Sequence, residues 1–181
     1  ADLFDLSVDG RQVKNPVAIA SMAGTVDAAY IAARAGHVGM GFIGGYSIDG
    51  PTIAASRRMA EVGRCEFLPG DPVAEIRRQA DLLAGVPVVG GVNLRAASPG
   101  SLAGLARAVG DRLIYEIDAH CRQEPMIRAE SGEFLLRHPD RLAGMVQALR
   151  AEGALVSVKI RAGAAGRGAE LGRLLWGAGA A

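Results

Sequence analysis

Short runs of apolar residues alternate with longer amphipathic segments along most of the chain. The short runs have the length and the Val and Ile content of buried β-strands. Three of the longer segments begin with an Asp, Ser or His directly before a proline, and a fourth begins with Asp-Gly-Pro, which are helix-start signals. The predicted strands are 17–20, 38–43, 87–94, 112–118 and 155–161. The predicted helices are 25–34, 49–62, 71–84, 98–109, 138–150 and 167–178.

Local signals fix the ends of several of these elements. Thr25 is placed to cap the first helix, and Asp27 lies in its first turn, where the helix dipole favours a negative charge. The glycines at 44–45 are expected to end the second strand. A loop is expected after the fourth strand, as far as Ser131.

Five β-then-α units in series imply an α/β fold with a parallel sheet and right-handed crossovers. We expect a single domain over residues 1–181, opened by a β-hairpin within residues 1–14, because Asp9-Gly10 favours a type I′ turn. One architecture that fits is an incomplete (β/α)8 barrel of the TIM type, with about five of its eight units. The alternative is a flavodoxin-like open parallel sheet, which needs about five units.

The composition suits an α/β domain of ordinary size. Half of the 181 residues are hydrophobic, and the 25 glycines suit a sheet with many tight turns. The formal net charge of +1 supplies no strong field for binding nucleic acid or anionic membranes. Cys65 and Cys121 are too few for a disulfide framework, and no apolar run reaches the roughly 20 residues that span a bilayer. We therefore expect a soluble, cytoplasmic protein without membrane contacts.

Reactive side chains stand at the carboxyl ends of the predicted strands, where α/β folds hold their active sites. Asp118, His120 and Cys121 end the fourth strand, and Asn93 lies near the end of the third. Lys159 interrupts the apolar fifth strand, and a buried strand rarely carries lysine without a partner. For each residue alone, an ordinary loop or packing role is the alternative.

Other kinds of site find little support in the sequence. The glycines near 22–24 and 163–168 match neither a P-loop nor a dinucleotide fingerprint, and the serines lack the G-x-S-x-G elbow of hydrolases. The histidines and cysteines lack the spacing of zinc ligands, so no metal site is predicted. Arginine pairs at 57–58 and 77–78 are typical of solvated helix faces. Cys65 is interpreted as a structural thiol in a short apolar segment.

Three blocks of the sequence resemble the tRNA-dihydrouridine synthases. Residues 15–27, NPVAIASMAGTVD, are similar to the first strand and turn of that family. Residues 116–121, EIDAHC, with GEFLL at 132–136, resemble its D-I-N-x-G-C-P block and the G-x-x-L-L that follows. Residues 156–161, VSVKIR, resemble its fifth strand. The blocks keep the order of the family and cover residues 15–163.

The resemblance implies an FMN-dependent oxidoreductase with the TIM-barrel fold. The turn after the first strand would lie against the flavin, and Lys159 would hold its positive charge near flavin N1 and O2, where negative charge builds on reduction. The residues that the resemblance assigns to the cofactor are Ser21, Met22, Ala23, Asn93, Asp118 and Lys159.

The resemblance also implies catalytic roles for the residues after the fourth strand. Cys121 would act as the general acid, giving a proton to uracil C5 while reduced FMN gives hydride to C6. Its thiol suits that role because an ordinary cysteine is mostly protonated near neutral pH. His120 would be a second proton donor or a substrate ligand, with a packing role as the alternative.

The chain departs from the pattern of the family at several positions. Ser21 stands where many members have Pro, Asp118 where they have Asn, and His120 and Arg122 flank the cysteine where they have Gly and Pro. In the family the FMN phosphate is held by loops after the seventh and eighth strands. The five βα units predicted here do not include those loops. The chain is therefore expected to be a barrel truncated after its fifth βα unit, which binds FMN weakly and could associate into a homo-oligomer.

Three functions follow from these observations. The first is an enzyme that reduces the C5–C6 bond of uridine in tRNA with FMN, using NADPH or NADH as reductant. The second is an FMN enzyme that acts on a small free pyrimidine, because the hairpin and Ala20-Ser21 also resemble dihydroorotate dehydrogenases. The third is a catalytically silent barrel fragment that serves as an assembly module.

Overall fold

A computed structural model of the protein describes residues 6–161, 163 and 168–180. The chain opens with an antiparallel hairpin of β1 (Leu6–Val8) and β2 (Arg11–Val13). Asp9 and Gly10 between them have φ of 49° and 75°, which is the left-handed backbone that a type I′ turn requires. The predicted hairpin is thus confirmed, while residues 1–5 of its predicted range lie outside the described residues.

The five predicted strands form one parallel sheet. Its members are β3 (Ala18–Ile19), β4 (Met40–Ser47), β5 (Val89–Arg95), β6 (Ile114–Asp118) and β7 (Leu155–Lys159). They lie side by side in chain order, from β3 at one edge to β7 at the other. The α/β class and the parallel sheet are confirmed. The flavodoxin-like alternative is wrong, because that fold places its second strand outside the first, whereas here each strand pairs with the next one along the chain.

Helices connect the strands. They are α1 (Ala28–Ala32), α2 (Gly50–Glu61), α3 (Pro72–Leu83), α4 (Pro99–Val109), α5 (Glu124–Arg128), α6 (Pro139–Ala151) and α7 (Gly168–Ala178), with a 3-10 helix at Gly132–Arg137. Asp49, Asp71 and Ser98 cap three of them by accepting backbone N–H bonds, as the sequence predicts. Among the described helices, none combines the length and the apolar character needed to cross a membrane.

Three local predictions are wrong. Asp27 caps α1 in place of Thr25, because its carboxylate accepts the N–H of Tyr30 at 2.8 Å. The segment predicted as a loop up to Ser131 contains α5, which begins with a proline in its first turn. β4 continues past the glycines at 44–45, because a register shift there lets it go on pairing with β5.

The two faces of the sheet differ because side chains alternate along each strand. One face packs against the helices through a large apolar core that includes Ile43, Val92, Tyr115, Ile117 and Val156. On the opposite face, here called the inner face, the amino-terminal end of the strands is apolar. The residues that pack there against Val13 of the hairpin are Phe42, Val89, Ile114 and Leu155.

The carboxyl-terminal half of the inner face is polar. Continuing the alternation from Val89, Ile114 and Leu155 places a second set of side chains on this face, namely Asn93, Arg95, Glu116, Asp118 and Lys159. The hairpin covers the apolar end, so the polar end is where a ligand can reach the inner face.

Candidate active site at the carboxyl end of the sheet

A cavity of about 350 Å³ lies at the carboxyl end of the strands. Its walls come from the turn after β3, from β4 and β5, from the segment before α3, from the end of β6 with its following loop, and from the segment after β7. Seven of the eight residues predicted for the site line it: Ser21, Met22, Ala23, Asn93, Asp118, His120 and Cys121. The structure therefore brings together residues that the sequence places in three separate segments.

Lys159, the eighth predicted residue, joins the two edges of the sheet. Its Nζ donates to the carbonyl oxygen of Ser21 at 3.1 Å and to the Ser21 hydroxyl oxygen at 2.9 Å. β3 and β7 are the outer strands of five, so in a flat sheet they would lie about 19 Å apart. A lysine side chain cannot span that distance. The sheet is therefore strongly curved, with the inner face on its concave side.

Glu116 lies between these groups and was not predicted as a site residue. Its Oε1 accepts a hydrogen bond from Asn93 Nδ2 at 2.8 Å and a longer one from the Ser21 hydroxyl at 3.4 Å. Burial raises the pKa of Glu116, against the opposing effects of the Asn93 hydrogen bond and the Lys159 charge. The signal in the sequence was its spacing, because Glu116 shares the face of Asp118 two residues later.

Asp118 organises the loop that carries His120 and Cys121. Its Oδ1 accepts the backbone N–H of His120 at 3.0 Å and that of Cys121 at 3.1 Å, and it lies 2.7 Å from His120 Nδ1. Burial by itself would raise the pKa of Asp118, but the His120 hydrogen bonds and the charge of Arg95 lower it well below its usual range. An ionised carboxylate only accepts, so Nδ1 carries a proton and Nε2 is the ring nitrogen left for a ligand.

A buried arginine holds the other oxygen of Asp118. Arg95 donates from Nε to Asp118 Oδ2 at 3.2 Å and from Nη1 to Glu66 Oε2 at 2.5 Å. The side chains of Arg95, Asp118 and Glu66 are 6%, 1% and 0% exposed. Sequence reasoning missed both Arg95 and Glu66. Arg95 had a signal, because it follows Asn93 by two residues on the inner face, whereas Glu66 reaches it from an irregular segment.

The two cysteines both line the cavity but differ in burial. Cys121 is 7% exposed and packs against Ala55, Met59 and Met126. Burial, reinforced by the charge of Asp118, raises the pKa of its thiol, so the thiol stays protonated at neutral pH. Cys65 is exposed, and its interpretation as a thiol packed in an apolar segment is wrong.

Gly132 lets the 3-10 helix approach the Cys121 loop. It has φ of +65°, and a Cβ built on it would lie 2.4 Å from the carbonyl oxygen of Cys121. That carbonyl accepts the N–H of Glu133 at 2.9 Å, so the two segments are already bonded. The close approach leaves no room for a side chain.

Gly132→Ala is accordingly expected to destabilise the protein by about 2 kcal/mol, from left-handed backbone strain and the clash together. Gly144→Ala is the matched control. Its site is inside α6 with no atom within 4 Å of the new Cβ, so it should stabilise the protein by about 0.5–1 kcal/mol. Urea unfolding of both variants measures the difference, and equal midpoints would contradict this description of the Cys121 loop.

Among the described residues, no group of three or more His, Cys, Asp or Glu side chains is arranged to hold a metal ion. Compared with models of known protein families and with curated proteins, the chain matches none. The resemblance to dihydrouridine synthases therefore rests on its three sequence blocks.

Proposed function

We propose that the protein is an FMN-dependent oxidoreductase that reduces the C5–C6 bond of uridine in tRNA, built on the front part of a TIM-type barrel. The observation that carries the proposal is the single cavity shared by Cys121, Asn93 and the turn at Ser21, with Lys159 bonded to that turn. The strand order and the curvature that Lys159 requires support the barrel.

The residues present fit a flavin. The pyrimidine edge of an isoalloxazine carries alternating N–H and C=O groups. Lys159, Asn93 and Ser21 supply an ammonium, an amide and a hydroxyl within one hydrogen-bonded group around Glu116. Gly45 keeps space on the cavity wall, because a Cβ there would lie 2.5 Å from Asn93 Oδ1. These residues would hold the ring edge, with Met22, which is 60% exposed, against its plane.

FMN, reduced by NADPH or NADH, supplies the hydride in this proposal. The chain supplies the proton. Cys121 is kept as a thiol by burial, so it can give its proton to substrate C5, with the S–H bond breaking as the C–H bond forms. The thiolate that remains takes a proton from water before the next turnover. His120, held by Asp118 at Nδ1, presents Nε2 to the substrate as a ligand.

The experiment is an assay of purified protein with FMN, NADPH and unmodified tRNA, scored as dihydrouridine in the RNA. The proposal predicts dihydrouridine formation that depends on both FMN and NADPH. Turnover of a free pyrimidine such as dihydroorotate, without any effect of tRNA, would favour the small-pyrimidine enzyme instead. Absence of both reactions in protein that holds FMN would contradict the proposal.

A further inference from the structure

The walls of the cavity are rich in positive charge. Four arginines and one histidine line it, and Asp118 is the one carboxylate among its lining residues in the described part of the chain. Asp118 is already hydrogen-bonded to Arg95 and His120. Arg95 is in turn held by two carboxylates, so its charge is compensated. The remaining arginines at the cavity are Arg64, Arg122 and Arg161.

These three arginines have hydrogen-bond donors to spare. Arg64 comes no closer than 3.9 Å to Glu66, and Arg122 no closer than 3.9 Å to Glu133, which is an electrostatic contact and not a hydrogen bond. Arg161 forms no ion pair with any residue that the structure describes. A guanidinium carries five N–H donors in a planar fork that matches an oxyanion.

We propose that Arg64, Arg122 and Arg161 form an oxyanion-binding site at the mouth of the cavity, which takes a phosphate or carboxylate group carried by the ligand. The side chains of Arg95 and Asp118 are 6% and 1% exposed, whereas those of Arg64 and Arg122 are 46% and 63% exposed. The ring of a ligand can therefore lie against the buried groups while its anionic group meets the exposed arginines at the rim. Partial enclosure strengthens the attraction, because the cavity walls exclude solvent that would screen it. Arg122 stands where the dihydrouridine synthases have Pro, so this charge belongs to the present chain.

The carboxylates of Glu66 and Glu133 do not neutralise the positive charge that the site offers to a ligand. Neither carboxylate lines the cavity, and Glu66 Oε1 and Glu133 Oε2 are buried without a hydrogen bond. An anion at the rim can bind Arg64 and Arg122 directly, whereas the side chains of Glu66 and Glu133 are only 0% and 15% exposed. The rim therefore presents positive charge to an entering ligand.

The test compares the dissociation constants of UMP, orotate and uridine by calorimetry at low and moderate salt. Only the choice of pyrimidine probes rests on the proposed function. At least one of the two anions should bind about 10-fold or more tightly than uridine, as expected for a charge-assisted hydrogen bond. Preference for UMP identifies phosphate as the source and preference for orotate identifies carboxylate. Added salt should weaken the binding of the anion and leave the binding of uridine unchanged.

Two variants complete the test. Arg122→Gln should lose most of the anion preference, about 10-fold, while uridine binding stays constant. Arg77→Gln, an exposed arginine of α3 that does not line the cavity, should change nothing. Equal binding of anions and uridine, no binding of either anion, or an Arg122→Gln protein with intact anion preference would each overturn the site. FMN binding, measured on the same samples, reports separately on the proposed function.

Discussion

Replacing Cys121 with alanine is expected to lower the rate of uridine reduction by about 100-fold or more, while FMN still binds. The size follows from the loss of a positioned general acid, which typically contributes a factor of at least 100. FMN binding should persist because the groups that would hold the ring edge are Lys159, Asn93 and Ser21. Stopped-flow oxidation of the reduced flavin by tRNA directly measures the step in which uridine is reduced.

Two further variants separate the role of Cys121 from general damage. Cys65→Ala removes the other thiol of the cavity, which is exposed, and should leave the rate within about two-fold, since the proposed mechanism takes the proton from Cys121. Cys121→Ser keeps the shape of the side chain but has a far weaker acid, so its rate should fall nearly as far as that of Cys121→Ala. A Cys121→Ala protein that turns over normally would remove the thiol from the mechanism.

Arg95→Met is expected to have the largest effect on stability, a loss of about 3–5 kcal/mol in the free energy of unfolding. The substitution leaves the carboxylates of Glu66 and Asp118 buried, at 0% and 1% side-chain exposure, without their positive partner. Removing one member of a buried ion pair costs much more than the pair contributes, because the remaining charge has lost its water. Urea unfolding followed by circular dichroism provides the measurement.

An exposed arginine gives the matched control for this prediction. Arg128 bonds Glu124 across one turn of α5, with side-chain exposures of 73% and 68%, so Arg128→Met should change stability little. The double variant Arg95→Met/Asp118→Asn should recover part of the loss, because it removes one of the two stranded charges. If Arg95→Met and Arg128→Met unfold at the same urea concentration, the cluster does not hold the loop of Asp118.

Much of the fold could be predicted because its signals are local. Proline after a capping Asp or Ser marked the start of three helices, and short apolar runs marked all five parallel strands. The order of the strands depends on pairing between segments that are distant in the sequence. Local signals therefore left two architectures open, and the observed pairing decides between them. The cap of the first helix was wrongly predicted as Thr25 because two residues that can cap a helix lie close together in the sequence. The backbone geometry selects Asp27.

The site could be predicted only where a residue looked out of place. Lys159 in an apolar strand and Cys121 after a strand end were visible, and the cavity gathers the residues around them. Arg95 and Glu116 were missed although each lies two residues from a predicted site residue, because that spacing is also the ordinary alternation of polar and apolar residues along a strand. Glu66 had no signal at all, since its contact with Arg95 depends on how an irregular segment crosses the end of the sheet.

Titration of FMN into the purified protein tests the central claim most directly, because that claim is a flavin held at the polar end of the inner face. Wild-type protein should bind FMN and shift the absorbance of the flavin. Lys159→Met should weaken binding by about 10-fold or more, through loss of a charged hydrogen bond. Lys14→Met should bind normally, because Lys14 bonds the carbonyl of Ala35 beside the hairpin. No binding by wild type, or equal binding by Lys159→Met, would contradict the account.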